Sequence, residues 1–153
     1  MKSTIHSIRQ AQLADQQAIE TCVQSAYAKY TARIRKKPAP LLANYALLIA
    51  QEAVYVLANE EEIHGVLVMM LQERSMFVEN VAIDPRFQRQ GLGRILMNFV
   101  EQQTRMYQLD EIRLYTNELM TENLDFYHHL GFDEEERGTE DGYRRVFLRK
   151  TLA

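Results

Sequence analysis

The part of the sequence that most constrains the fold is residues 76–106, where a strand pattern passes through a glycine-bearing loop into a helix pattern. β-branched and aromatic residues predict a strand over 76–83, which Pro85 ends. After a polar loop, Gly91 and Gly93 open a helix that apolar residues continue to about residue 106. The first N–H groups of a helix lack intrahelical partners, and glycines let an anion approach them closely. The segment therefore predicts a strand–loop–helix unit suited to a phosphate or pyrophosphate.

Two common phosphate-binding motifs do not fit this segment. A P-loop needs Lys followed by Ser or Thr after its last glycine, whereas Arg94 and Ile95 follow Gly93. A dinucleotide fingerprint needs a third small residue where Leu96 stands. On the glycines alone, a helix start that binds no ligand is an equally good interpretation.

The rest of the chain alternates between strand and helix patterns. Period-2 runs predict strands, and apolar residues at spacings of three and four predict helices. The predicted strands are 4–9, 54–58, 63–71, 76–83, 112–116, 132–137 and 143–150, and the predicted helices are 15–35, 41–50, 92–106 and 123–130. We therefore expect an α/β (α+β) fold, with a mixed sheet of about seven strands flanked by about four helices, and a single domain over residues 1–153.

Composition narrows the class of protein. The apolar content of 46% and charged content of 25% are typical of a globular domain, and the net charge of −3 argues against nucleic acid as a partner. The single cysteine, Cys22, excludes an internal disulfide and a zinc site built from cysteines, and the four histidines show no metal-ligand spacing. No apolar run is long enough to span a bilayer. We expect a cytoplasmic protein without a metal and without membrane association.

Two motifs give the chain a family resemblance. Gln88, Gly91 and Gly93 match the Gln/Arg-x-x-Gly-x-Gly/Ala motif of the GCN5-related N-acetyltransferases (GNAT), and residues 122–132, with Tyr127 before Leu-Gly-Phe, resemble that family's second motif. The elements between the motifs also agree. The resemblance covers about residues 76–150 by motif and residues 4–72 by element order.

This resemblance implies a GNAT-like fold and a cofactor. In such proteins the loop amides hold the pyrophosphate of acetyl-coenzyme A, while backbone groups of the fourth strand, which bulges away from the fifth, bind the pantetheine arm. The cofactor residues expected on this basis are Val81, Ala82, Ile83, Gln88, Arg89, Gln90, Gly91, Leu92, Gly93, Arg94, Asn123 and Tyr127. The implied reaction is direct transfer of the acetyl group to a primary amine in a ternary complex. We expect a small-molecule acceptor; the alternatives are a protein N-terminus or lysine, or a coenzyme A-binding module without catalysis.

Tyr127 and Glu79 are the candidate catalytic residues. Tyr127 matches the tyrosine that protonates the leaving thiolate in many family members, and a phenol that titrates near about 10 is a proton donor at neutral pH. The family often has Asn where Met120 stands, and Asn117 or Asn123 could compensate. Glu79, two residues before Val81, is the candidate general base, with His128 and His129 as alternatives that helical geometry turns away from Tyr127.

The acceptor site and the oligomeric state are less constrained. Tyr30 and Arg33 on the first long helix and Asn80 on the fourth strand are the expected acceptor contacts. Residues 143–150, with apolar side chains among charges, are predicted to form an edge strand that pairs with a second copy in a homodimer.

Overall fold

Seven strands and four α-helices make up residues 6–153, which the computed structural model describes. The first part of the predicted strand 4–9, Thr4 and Ile5, lies outside the described residues. The elements are β1 (Ser7–Gln10), α1 (Gln16–Ile34), α2 (Tyr45–Ala50), β2 (Val54–Ala58), β3 (Ile63–Gln72), β4 (Ser75–Ile83), α3 (Leu92–Met106), β5 (Glu111–Asn117), α4 (Thr121–His129), β6 (Asp133–Glu140) and β7 (Tyr143–Thr151).

The strands form one mixed sheet in the order β1-β2-β3-β4-β5-β7-β6. β1 pairs antiparallel with β2, and β2 with β3, whereas β5, β7 and β6 form a second antiparallel group. β4 and β5 are parallel, in a register that pairs Met76–Val78 with Ile112–Leu114. The expected α/β fold with a mixed sheet is confirmed.

The predicted elements lie within a few residues of the observed ones, with one difference at the second helix. The pattern predicted a helix over 41–50, but α2 begins at Tyr45 and a 3₁₀ turn, Ala39–Leu42, precedes it. Asn44 causes the difference, because its side-chain oxygen accepts the N–H of Leu47 at 3.1 Å and caps α2.

The prediction that residues 143–150 form an edge strand is wrong. β7 lies between β5 and β6, so its backbone pairs on both sides. β6 is the edge strand instead. It is exposed throughout, begins with the acidic run Asp133–Glu136 and contains a bulge between Glu134 and Glu136. Charge and a bulge on an edge strand disfavour pairing with another chain, so this edge does not support the expected homodimer.

The chain divides into two compact units, and β4 is split between them. The first unit holds the residues up to Met69 and Asn80–Met97, and side chains such as Ile19, Val56 and Leu67 are fully buried in it. The second holds Met70–Glu79 and Asn98–Ala153, where Ile112 and Leu148 are fully buried. Among residues 6–153, no helix combines the length and the apolar character needed to cross a membrane.

Gly65 on β3 is a point of close approach in the first unit. A Cβ at this position would lie 2.9 Å from Cδ1 of Ile83 and 3.4 Å from both the carbonyl oxygen of Ala82 and Cδ1 of Leu96. The missing side chain therefore lets the end of β4 and the first turns of α3 pack against β3.

We expect Gly65→Val to destabilise the fold, because overpacking a filled site costs about 1–3 kcal/mol. For a chain of this size each kcal/mol lowers Tm by about 2–4 °C. Gly138→Val is the matched control, since a Cβ at Gly138 on β6 would meet nothing within 4 Å. Thermal unfolding of both variants tests this, and an equal loss in the two would contradict it.

Candidate active site

Asp84 and Gln88 shape the loop that follows β4. The Asp84 N–H donates to the carbonyl of His64 at 2.9 Å, and the Asp84 carboxylate accepts the N–H of Arg86 at 3.0 Å, which starts a 3₁₀ turn at Pro85. The Gln88 side-chain amide donates to the Ile83 carbonyl at 3.1 Å. Gln88, expected from the sequence at the cofactor, thus fastens the loop to the end of the strand.

Gly91 sets the start of α3. Its φ of +78° is left-handed, and its carbonyl accepts the first intrahelical bond, from the Ile95 N–H at 3.1 Å. The N–H groups of Leu92, Gly93 and Arg94 precede that bond, as at any helix N-terminus. A Cβ on Gly91 would meet nothing within 4 Å, so this turn is open on the side where a side chain would stand.

The arginines of the loop divide into two kinds. Arg86 is held at 3.0 Å by Asp84 and at 3.0 Å by Glu62, so its charge is already neutralised. Within the described part of the chain, Arg89 and Arg94 form no ion pair, and both are exposed. Arg89 also has a left-handed φ of 65°. The positive charge near the start of α3 therefore comes from Arg89, Arg94 and the helix dipole.

Tyr127 lies in the second unit on α4, with its side chain buried. Its ring makes edge contacts with Phe126 and Phe132 at centroid distances of 5.1 and 5.6 Å. Its two neighbours in sequence, His128 and His129, are exposed, as helical geometry predicts. α4 ends at a left-handed Gly131 with φ of 95°, the expected helix stop.

Met120 replaces the asparagine that the family resemblance leads one to expect. It is buried, and its sulfur lies 3.6 Å from the Thr116 hydroxyl and 3.6 Å from the amide nitrogen of Asn123. Asn117 instead accepts the N–H of Leu119 at 2.9 Å and forms a turn. Of the two possible substitutes, Asn123 is therefore the one whose side chain lies beside Met120.

Glu79 is a half-buried carboxylate without the usual partners. Its Oε2 is shielded from solvent and, among residues 6–153, accepts no hydrogen bond. Burial raises the pKa of Glu79, because removing water disfavours the charged form. A carboxylate with a raised pKa can accept a proton closer to neutral pH, as a general base requires.

The acceptor contacts expected from the sequence are only partly accessible. Tyr30 is buried, with the Lys29 amine 5.0 Å and the Arg33 guanidinium 5.2 Å from its ring centre. Asn80 is also buried, and its side-chain amide bonds to Tyr27 and Tyr45. Only Arg33 of the three is exposed, so burial favours structural roles for Tyr30 and Asn80 over direct acceptor contacts.

The bond between Tyr45 and Asn80 was not predicted from the sequence. The position of Asn80 could have indicated such a partner, because Asn80 lies between Val78 and Ala82 on the inward-facing side of β4, and all three are buried. A buried amide must find hydrogen-bond partners, and that requirement alone predicts polar side chains opposite this position.

We expect Glu79→Gln to stabilise the protein at neutral pH. Because the folded-state pKa of Glu79 lies above that of an unfolded glutamate, wild-type stability falls as the pH rises from the unfolded pKa to the folded pKa. The neutral amide escapes this loss, so its advantage should shrink as the pH falls below the ordinary glutamate pKa. Denaturant unfolding across this pH range measures it, with the exposed Glu60→Gln as control. A pH-independent difference would contradict the assignment.

Comparison with solved structures places the fold among acetyltransferases. The PaiA N-acetyltransferase of Thermoplasma acidophilum, solved with coenzyme A, matches with a TM-score of 0.83 at 14% identity, covering 97% of this chain and 100% of that one. Ard1 of Thermoplasma volcanium matches at 0.74 and 20%, covering 97% and 98%. The ribosomal-protein-S18-alanine N-acetyltransferase of Escherichia coli matches at 0.72 and 19%, covering 97% and 95%. At these sequence identities, the similarity shows a shared fold and nothing more.

The sequence comparison is more specific. No curated protein matches the chain significantly. The family profile described as "Acetyltransferase (GNAT) domain" matches residues 50–134, which is more than half of the chain and includes β4, the loop with Gly91, and α4 with Tyr127. The chain therefore belongs to the GNAT acetyltransferases and is an acyltransferase.

Proposed function

We propose that this acyltransferase moves the acetyl group of acetyl-coenzyme A onto a primary amine, most simply that of a small molecule, by direct transfer in a ternary complex. The observation that carries the proposal is the environment of the Glu79 carboxylate. Its shielded oxygen has no hydrogen bond from any described residue, and its pKa is raised by burial. Such a carboxylate suits the step that an amine acceptor requires, since an ammonium must lose a proton before it attacks a thioester.

The loop after β4 is the proposed site for the cofactor pyrophosphate. Support comes from the open space at the Cβ position of Gly91, the start of α3 at Leu92, and the guanidinium groups of Arg89 and Arg94, which form no ion pair with any described residue. Backbone N–H groups at a helix N-terminus and nearby cations are the usual elements of a phosphate site. In this proposal, Arg86 shapes the loop and does not contact phosphate, because Asp84 and Glu62 already bind it.

Three further roles complete the proposed reaction. The backbone of Val81 and Ile83 would bind the pantetheine arm, and the Val81 N–H would stabilise the oxyanion that forms when the amine attacks the thioester carbon. As the C–S bond breaks, the Tyr127 hydroxyl would give its proton to the leaving sulfur. The edge contacts of the Tyr127 ring with Phe126 and Phe132 support this role, because they fix the orientation of the ring.

The acceptor class is tested by a panel assay. The protein is incubated with acetyl-coenzyme A and small primary amines or peptides with free N-termini or lysines, and the released thiol is measured. Turnover with small amines supports the proposal. Turnover with peptides alone would assign a protein acceptor, an activity that the name of the S18-alanine enzyme states for that protein. Coenzyme A binding without thiol release from any acceptor would leave a binding module.

We expect Tyr127→Phe to lower turnover by roughly 10²–10⁴-fold, the usual effect of losing a positioned acid. Coenzyme A affinity should fall by less than about tenfold, because one hydrogen bond contributes about 1 kcal/mol. Steady-state rates with an amine from the panel, a coenzyme A titration and a melting curve separate these effects. Tyr107→Phe, at an exposed tyrosine just after α3, is the control. Full activity with reduced stability would show that Tyr127 only packs the core.

We expect Gly91→Val to abolish the rise in Tm that coenzyme A produces. A ligand that binds only the folded state raises stability by mass action, and a branched side chain would occupy the open space and strain a φ of +78°. Gly138→Val controls for the added bulk. Gly91→Asn separates strain from obstruction, since asparagine tolerates left-handed φ. An undiminished shift in Gly91→Val would remove the loop from the cofactor site.

A further inference from the structure

A buried chain of hydrogen bonds in the first unit links α1, β4 and α2. The Tyr27 hydroxyl donates to Oδ1 of Asn80 at 2.6 Å, and Nδ2 of Asn80 donates to the Tyr45 hydroxyl at 3.1 Å. The Tyr45 hydroxyl in turn donates to the Pro40 carbonyl at 2.7 Å. Tyr27, Asn80 and Tyr45 expose only 6%, 4% and 3% of their surface, so water does not substitute for these bonds.

The carbonyl of Pro40 determines which group donates and which accepts in each of these hydrogen bonds. A carbonyl oxygen only accepts, so the Tyr45 proton must point to Pro40 and its oxygen must accept from an N–H of Asn80. The Asn80 amide then has one orientation, with Oδ1 toward Tyr27, and Tyr27 must donate. Every member has a defined role, and removing any hydroxyl leaves a buried polar group unsatisfied.

One end of this hydrogen-bond network lies on β4, the strand whose backbone is proposed to bind the cofactor. The Tyr27 hydroxyl lies 2.6 Å from the Asn80 side chain and 3.3 Å from the carbonyl oxygen of Val81. The Tyr27 hydroxyl has one proton, which it donates to Asn80, so α1 and α2 hold β4 through the Asn80 side chain, and the Val81 carbonyl lies beside the same hydroxyl. At its other end, the network holds the 3₁₀ turn Ala39–Leu42 through Pro40.

We propose that Tyr27, Asn80 and Tyr45 are positioning residues for the transfer reaction, which fix the β4 backbone at Asn80–Val81 so that it meets the pantetheine arm in one geometry. This inference rests on the proposed cofactor role of Val81. None of the three touches the reacting atoms. Their effect should be confined to the part of coenzyme A that Val81 contacts, because the loop with Gly91 is held separately by Asp84 and Gln88.

Two probes separate these parts of the cofactor. Coenzyme A carries both the pantetheine arm and the pyrophosphate, whereas adenosine 3′-phosphate 5′-diphosphate carries the nucleotide and pyrophosphate alone. Calorimetric titration of wild type, Tyr27→Phe and Tyr45→Phe with each probe gives the dissociation constants. Tyr55→Phe, at a half-buried tyrosine on β2, is the control.

We expect Tyr27→Phe to weaken coenzyme A binding by about tenfold, because a β4 backbone that is no longer fixed must be ordered when the pantetheine arm binds. Affinity for the diphosphate fragment should stay at the wild-type value. The Tyr27→Phe/Tyr45→Phe double variant should lose less than the product of the single losses, because both tyrosines act through Asn80. Asn80→Leu should match the double variant, and if it does not fold, the tyrosine variants still decide the question.

Equal weakening toward both probes would overturn the inference, since it would mean that the variants loosen the whole unit. Unchanged affinity for coenzyme A in both tyrosine variants would overturn it too, as would independent effects of the two substitutions. Failure of the wild-type protein to bind coenzyme A at all is a different result, and it would refute the proposed function itself.

Discussion

The packing of β4 and α3 against β3 at Gly65 is the constraint on which the candidate cofactor loop depends. Because no side chain stands at Gly65, Ile83 and Leu96 reach the β3 backbone from either side of the loop. The end of the strand and the start of the helix are thereby held at fixed places. The intervening residues must then turn sharply, which explains why a 3₁₀ turn at Pro85 and left-handed φ values at Arg89 and Gly91 occur within one short segment.

Glu79 and Asn80 are adjacent polar residues on β4 whose side chains differ in burial and in hydrogen bonding. The Asn80 amide is fully buried and bonded by two tyrosines, so its burial costs little. The Glu79 carboxylate is half-buried and, within residues 6–153, its shielded oxygen accepts no hydrogen bond. Destabilising arrangements of this kind concentrate at functional sites, where a perturbed pKa has a chemical use.

The sequence predicted the local features well because each depends on residues close together in the chain. Helix and strand periods, the stop at Gly131 and the loop that opens α3 were all predictable. Strand order was not, because β5 and β6 enclose β7 through pairings that no local pattern encodes. The Asn80–Tyr45 bond joins residues 35 positions apart for the same reason. Tyr30, by contrast, continues the buried stripe of α1, and its helical spacing already favoured burial over contact with an acceptor.

The neutralisation of Arg86 by Asp84 and Glu62 also affects how an anion reaches this protein. The chain carries a net charge of −3, so its overall field repels anions at long range. Within the loop after β4, attraction is left to Arg89, Arg94 and the start of α3, and at physiological ionic strength it is screened beyond about 8 Å. If the loop binds a polyanion, as proposed, long-range attraction would contribute little to its capture. The association rate constant would then respond to added salt through those two side chains more than through the charge of the whole molecule.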